Sequence, residues 1–272
     1  MKALRFVLLG LAVALLGGLG WRLGQLAPGR SAPAEVVARG SASGFPPRPD
    51  PATARGIVLS RMGDAPDYLP FYDRLRTEFP GEYAGVVDQA SRAVSKTGRP
   101  PNPERLLTDA LRDLRQSRGV LAAKAAPLPL SEVFAAQSAM LDTLSDHEPA
   151  LCADFLYGGT GPGFMAFSAT HRAALERIAM ATLNAIADGR AKPVERDGPT
   201  PADFDQLATA LKARGLTDDQ IATLLDGKTF DPPLPDRQIC EAGRTYLHVL
   251  NDMPDDLRQR VYGLSATLLA RS

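Results

Sequence analysis

The strongest constraint on the fold is a pair of cysteines, each on the apolar face of a segment with helical periodicity. Cys152 and Cys240 are the only cysteines of the chain. Both have apolar neighbours at helical spacing: Leu151, Phe155 and Leu156 for the first, and Ile239, Gly243 and Leu247 for the second. Because Gly243 has no side chain, it would let two helices approach closely on the cysteine face. We therefore expect Cys152 and Cys240 to form an intramolecular disulfide within one domain.

The rest of the chain also carries the pattern of helices. From Tyr68 to Leu268, apolar residues recur at spacings of three and four, and the alternating Val, Ile and Thr runs typical of strands are almost absent. The chain has 272 residues, enough to bury a core of its own. These patterns predict an all-α fold, an irregular domain of roughly eight to ten helices over residues 52–272, behind an N-terminal membrane segment and a proline-rich spacer.

Several residues have the spacing of helix N-terminal caps. Asn102, followed by Pro103 and Glu104, is a strong start signal, and Ser131 follows prolines at 127 and 129. Capping-box spacing, in which a Ser or Thr precedes an acid or Gln by three residues, occurs at Ser145 with Glu148, Thr200 with Asp203, and Thr217 with Gln220. We predict that a helix begins at each of these positions, the Ser145 helix being the one that carries Cys152.

The N-terminal region has the composition of a membrane segment. Residues 6–21 are uncharged and rich in Leu, Ala, Val and Gly, with Lys2 and Arg5 before them and Arg22 after them. This run of 16 residues lies between the apolar core of a signal peptide, about 7–15 residues, and a spanning helix, about 17–25 residues. We predict that residues 1–24 are an uncleaved signal anchor that contacts the membrane through residues 4–21. A cleaved signal peptide is the alternative.

A spacer separates this segment from the helical domain. Residues 25–51 are rich in Pro, Gly, Ser and Ala and have no helical period, which is typical of a flexible linker. We therefore expect a single-pass protein of the cell membrane, with its helical domain outside the cytoplasm in the periplasm or the extracellular space. Such a compartment is oxidising, which agrees with a disulfide. The alternative is a cytosolic core that holds two buried free thiols.

The sequence offers little for catalysis or for cofactor binding. Two of its three histidines have acidic neighbours, Asp146 and Glu148 beside His147 and Asp252 four residues after His248, but two ligands do not complete a metal site. His171 has no carboxylate at a matching spacing. The glycine-rich stretch 158–163 is not followed by Lys and follows a helix, so we interpret it as a connector and not a phosphate loop. We expect no catalytic residues, no cofactor and no metal ion.

Charge is balanced overall but unevenly distributed. The formal net charge is zero, whereas residues 92–124 hold eight basic and three acidic residues and residues 202–256 hold eleven acidic and five basic ones. The helix predicted after Asn102 carries four arginines outside its leucine stripe, Arg105, Arg112, Arg115 and Arg118. We predict that these arginines form a surface for an anionic lipid or an acidic protein. The alternative is a solvated helix face, and we expect no nucleic-acid partner.

These observations favour an exported, membrane-anchored helical protein of the cell envelope that acts as a non-enzymatic scaffold or interaction module. One alternative is a helical hydrolase whose site combines a histidine with scattered carboxylates. Another is a binder of an apolar ligand between helices. The enzyme would require His147, His171 or His248 to meet carboxylates in a cleft, whereas an interaction module requires only an exposed patch.

Overall fold

The computed structural model describes residues 48–159 and 161–271, and the predicted membrane segment and most of the spacer lie outside these residues. The described part contains twelve α-helices, two 3₁₀ helices and no strand. The first six helices are α1 (Pro51–Gly63), α2 (Leu69–Glu78), α3 (Pro80–Thr97), α4 (Pro103–Arg118), α5 (Pro127–His147) and α6 (Pro149–Leu156). The other six are α7 (Pro162–Thr170), α8 (Arg172–Ala191), α9 (Pro201–Ala213), α10 (Asp218–Asp226), α11 (Asp236–Asp252) and α12 (Asp255–Leu269). The predicted all-α class is confirmed, with more helices than the eight to ten expected.

Helix α1 is absent from the sequence prediction, which starts the helical pattern at Tyr68. Asp50 caps it: one carboxylate oxygen accepts hydrogen bonds from the backbone N–H groups of Ala52 and Thr53, at 2.9 and 3.1 Å. Its buried residues are spaced four apart: Ala54, Val58 and Met62. This narrow stripe packs α1 against α3, and the contact forms one wall of a groove described below.

Three of the predicted helix starts are confirmed and two are wrong. Asn102 accepts a hydrogen bond from the N–H of Arg105, and the pairs Thr200–Asp203 and Thr217–Gln220 form complete capping boxes. The predicted start at Ser145 is wrong, since α5 continues to His147 and α6 begins at Pro149. Proline cannot continue the preceding helix, but it fits the first position of the next one.

The predicted cap at Ser131 is also wrong, because α5 begins earlier, at Pro127. Prolines 127 and 129 lie within its first turn, where a backbone N–H has no intrahelical partner to lose. Asp188 of α8 accepts a hydrogen bond from the N–H of Ala126, at 2.6 Å. The start of α5 is therefore fixed by a residue 62 positions away and not by a local cap.

The centre of the domain is built on α5 and α8. The 3₁₀ helix Gly119–Lys124 packs against α8 and α12. Gly189 of α8 lies so close to this 3₁₀ helix that a Cβ at Gly189 would overlap the carbonyl oxygen of Leu121. The rings of Phe134 on α5 and Tyr262 on α12 stack in parallel with their centroids 3.9 Å apart. These two close contacts fix α12 and the 3₁₀ helix onto the core.

The two cysteines join α6 to α11. Their Cα atoms are 5.4 Å apart, a disulfide distance, and both side chains are buried. Gly243 lies one turn after Cys240 and contacts the side chain of Leu156, which fills the space that a Cβ would need. The predicted proximity of the two cysteines and the predicted role of Gly243 at the helix contact are confirmed.

Candidate functional site

The four arginines predicted to form an interaction surface, here called the α4 arginine face, are largely engaged by their neighbours. Arg112 pairs with Asp109 one turn earlier on α4, at 2.8 Å, and Arg118 pairs with Glu82 of α3. Arg105 is half-buried. Burial raises the pKa of Glu82, but the hydrogen bond from Arg118 and the other favourable contacts of this carboxylate together outweigh this effect and keep the pKa below its ordinary value. Much of the positive charge of this face is therefore balanced within the domain.

Arg115 differs from the other three in having a buried nitrogen atom without a partner among the described residues. Its side chain is half-buried, and its Nε is buried without a hydrogen-bond partner among the described residues. Burial, and then the charge of Arg112, lowers the pKa of Arg115 below its ordinary value. Among the described residues no carboxylate pairs with Arg115, so no ion pair offsets the desolvation of its charge.

A groove between α1 and α3, the α1–α3 groove, has a different character. It has a volume of about 530 Å³, and its walls expose mainly carbon atoms. The groove is lined by Pro51, Ala52, Arg55, Asp88, Ser91, Arg92, Ser95 and Lys96. Arg92 and Lys96 lie one turn apart on α3, are exposed, and make no ion pair within the described residues.

The remaining charges around the α1–α3 groove cancel. Arg55 of α1 pairs with Asp88 of α3 across it, at 2.7 Å, with both side chains about half exposed. The N-terminal amides of α1 are occupied by Asp50, so they contribute no free anion site. The groove therefore has a net charge of +2, because the Arg55–Asp88 pair is neutral and Arg92 and Lys96 each add one positive charge.

His248 lies next to a carboxylate, as the hydrolase alternative requires, but an arginine shares this carboxylate with it. Its Nε2 lies 3.1 Å from Oδ1 of Asp142 on α5, and the Nε of Arg244 donates to the same oxygen at 2.9 Å. Burial of Asp142 is outweighed by these two partners, so its pKa lies below the ordinary value. An ionised carboxylate only accepts, so the Nε2 of His248 carries a proton. Ser145 contacts Arg244, at 3.1 Å, and not the histidine.

His147 and His171 come together at the ends of α5 and α7. Their ring centroids are 6.1 Å apart, and Phe167 stacks on His171 at 4.0 Å. The Nδ1 of His171 lies 3.0 Å from both the carbonyl oxygen of Phe167 and the Oγ1 of Thr170. His147 is exposed, and Asp146 and Glu148 beside it are exposed as well. The three rings form an aromatic contact that closes the end of α7.

A buried ion pair lies deeper, between the starts of α4 and α8. The carboxylate of Glu104 is almost fully buried and accepts a hydrogen bond from the Nε of Arg172, at 2.9 Å. Burial, and then the charge of Glu104, raises the pKa of Tyr68 above its ordinary value. The local sequence marks Glu104 only as a helix-start residue, because a partner 68 positions away leaves no local signal.

The segment after the glycine-rich stretch packs back onto the domain. Phe164, Met165 and Phe167 of α7 are buried, and Phe164 stacks on Phe155 of α6 with centroids 5.6 Å apart. A Cβ at Gly159 would overlap the carboxylate of Asp154, so this glycine permits a close approach. The stretch thus connects α6 to α7.

The acidic part of the chain forms α9 to α12. The carboxylate of Asp203 is buried, whereas Asp205, Asp218, Asp219 and Asp226 are exposed. An open groove of about 610 Å³ lies between α9 and the junction of α11 with α12, beside Asp205 and Asp252. This surface is opposite in charge to the α1–α3 groove.

The α1–α3 groove is not predictable without α1, whose narrow apolar stripe gives little helical signal. The available signal was the pair Arg92 and Lys96, four residues apart and off the apolar stripe of Val87 and Val94. Within residues 48–159 and 161–271, no three His, Cys, Asp or Glu side chains are arranged to hold a metal ion. No helix in the same ranges combines the length and apolarity needed to cross a bilayer.

Function cannot be transferred to this chain from a relative. Comparison with family models, with curated proteins and with solved structures finds no match.

Proposed function

We propose that this chain is an exported, membrane-anchored protein of the cell envelope whose helical domain acts as a non-enzymatic scaffold or interaction module. The observation that carries the proposal is the buried pair Cys152 and Cys240, held at a disulfide distance between α6 and α11. Disulfides persist in oxidising compartments and are rare in the cytosol. The apolar run at residues 6–21 supplies a route to such a compartment.

The cysteine pair also suits a rigid module. A bond between Cys152 and Cys240 closes a loop over a sequence separation of 88 residues, which contains α7 to α10. In the chain-entropy description such a loop stabilises a domain by on the order of 4–5 kcal/mol, less any strain. A domain braced in this way can present fixed surfaces to a partner outside the cytoplasm.

A hydrolase is the second candidate, and the Asp142–His248 contact is the observation that favours it. A hydrolytic relay needs the histidine to reach a nucleophile with its other nitrogen. Here Ser145 contacts Arg244 instead, and Arg244 shares Oδ1 of Asp142 with His248. The cluster links α5 to α11 near the cysteine pair, so we assign it to the stability of the domain.

The test combines the state of the thiols with the position of the domain. The full chain would be isolated from its cells under acid quench, unfolded without reductant and treated with an alkylating reagent. We expect no reactive thiol per chain, and two after reduction. In intact cells stripped of any outer layer, an added protease should digest the helical domain. Two reactive thiols, or a domain protected by the membrane, would overturn the proposal.

A further inference from the structure

We propose that the α1–α3 groove binds the phosphate headgroups of anionic phospholipids and docks the helical domain on the membrane surface. The inference rests on the proposed function, because it takes residues 4–21 to be the membrane segment. It moves the lipid contact from the α4 arginine face to a different pair of side chains, Arg92 and Lys96.

Free charge is the first reason for this choice. On the α4 arginine face, Arg112 and Arg118 are paired with carboxylates and Arg115 is half-buried. Arg92 and Lys96 are exposed and make no ion pair within the described part of the chain. A cation that makes no ion pair gains more from an anionic surface, since no existing pair must be broken.

The shape of the α1–α3 groove is the second reason. Arg92 and Lys96 lie one helical turn apart, about 6 Å between Cβ atoms, so both can reach one phosphodiester. A guanidinium can donate two parallel hydrogen bonds to phosphate oxygens, and an ammonium adds a compact point charge. The walls of the groove, which include Pro51 and Ala52 of α1, expose mainly carbon atoms and can contact the glycerol carbons of a lipid.

Position along the chain is the third reason. Pro51 is the first residue of α1, and the predicted spacer, residues 25–51, leads directly to it. A flexible spacer of this length has a root-mean-square span of about 30 Å, which would keep the groove at a millimolar effective concentration of headgroups. A weak site is sufficient under these conditions. A stable protein partner would instead require an interface of about 1,000 Å² or more.

The experiment uses the full chain reconstituted into phosphatidylcholine vesicles, with or without phosphatidylglycerol that carries a photoreactive headgroup. Cross-linked peptides would be mapped by mass spectrometry. We expect cross-links in residues 51–63 and 80–97, and we expect Arg92→Glu with Lys96→Glu to reduce them at least about ten-fold. Arg92→Gln with Lys96→Gln should give an intermediate loss, and raised salt should weaken the parent signal.

Lys192→Glu with Arg237→Glu is the matched control, since both residues are exposed and lie outside the groove. This variant has the same net charge as the reversed groove and should keep its cross-links within about two-fold of the parent. An equal loss in both variants would show that bulk charge alone is responsible and would overturn the site. The midpoint of thermal unfolding of each variant should stay within about 2 °C of the parent.

Other outcomes separate the groove from the anchor. Flotation of the chain with pure phosphatidylcholine vesicles reports the anchor alone, and its failure would overturn both the anchor and the groove proposal. Flotation with cross-links confined to α4, or undiminished in the reversed variant, would overturn the groove alone. A photoreactive residue at Ser95 that captures a protein and no lipid in native membranes would likewise overturn it in favour of a protein partner.

Discussion

The guanidinium of Arg260 on α12 donates two hydrogen bonds to the buried carboxylate of Asp203 on α9, at 3.0 and 2.7 Å. The same carboxylate accepts a hydrogen bond from the N–H of Thr200 at 2.7 Å and so completes the capping box of α9. The hydrogen bonds from Arg260, joined by those from Thr200, outweigh burial and lower the pKa of Asp203 to about 2. The side chain of Asp203 therefore contributes to the N-terminal cap of α9 and also binds α9 to α12.

This contact predicts a specific dependence of stability on pH. Because the pKa of Asp203 is lower in the folded state, its contribution is complete above the unfolded value, about 3.9, and is lost as pH falls toward 2. We expect Asp203→Asn to lower the free energy of unfolding at pH 7 by about 2 kcal/mol and to remove about 1–2 kcal/mol of the acid dependence. Urea unfolding between pH 2 and pH 7 measures both effects.

Asp205→Asn is the control for this prediction, because Asp205 is exposed and its side chain forms no hydrogen bond within the described residues. It should change the free energy of unfolding by less than about 0.5 kcal/mol. The assignment is wrong if both variants lose the same part of the acid dependence.

The cysteine pair predicts a loss of stability on reduction. We expect replacement of Cys152 and Cys240 by Ala to lower the free energy of unfolding by about 2–5 kcal/mol. Reductant should have a similar effect on the parent and none on the double variant. Guanidinium unfolding with and without reductant makes the comparison. A parent that is unaffected by reductant would contradict a closed bond between the two residues.

Replacing Gly189 should strongly destabilise the domain, although helix propensity alone would suggest the opposite. Alanine is a better helix former than glycine by about 1 kcal/mol. At Gly189, however, a Cβ would overlap the carbonyl oxygen of Leu121, so we expect Gly189→Ala to destabilise the domain by at least about 2 kcal/mol. Gly85 is in the middle of α3 with nothing within 4 Å of a built Cβ, and Gly85→Ala should stabilise it. Thermal unfolding of the two variants should therefore show shifts of opposite sign.

Removing the charge of Arg115 should stabilise the domain, which is unusual for a charged side chain. Its buried Nε has no hydrogen-bond partner among the described residues, and burial lowers its pKa. We expect Arg115→Met, which keeps the length of the side chain, to stabilise the domain by about 0.5–1 kcal/mol. Arg118→Met should be neutral or slightly destabilising, because it removes the pair with Glu82. If Arg115→Met is the more destabilising of the two, Arg115 has a partner of real energetic value.

Local signals account for much of what the sequence could predict about the fold. Asn102, Thr200 and Thr217 begin helices as predicted, because each cap is formed by residues within three positions. Ser145 has the same spacing to Glu148, yet α5 continues through it, since a serine is also tolerated inside a helix and Pro149 decides the break. Helix α1 is missed because its stripe of buried residues is only one residue wide.

The candidate site could be predicted only where the chemistry left few choices. Two cysteines in the whole chain allow a single pairing, so the contact between α6 and α11 could be expected. The α1–α3 groove depends on Arg55 meeting Asp88, 33 residues away, and this follows from the packing of α1 and not from any motif. The burial of the Arg115 Nε likewise follows from packing and has no local signature. The pattern of charges along α4 suggested an exposed face instead.

The cysteine pair also determines how the domain would respond to mechanical tension. With the bond between Cys152 and Cys240 closed, a force applied between the N-terminal side of α1 and the C-terminal side of α12 would act on the backbone up to Cys152, cross the bond and continue from Cys240. The segment between them, with a sequence separation of 88, would be bypassed and carry no load. At about 3.4 Å per residue, roughly 300 Å of contour length would stay locked while the bond is intact. Helices α7 to α10 would thus be shielded from a pull that unravels α1 to α5.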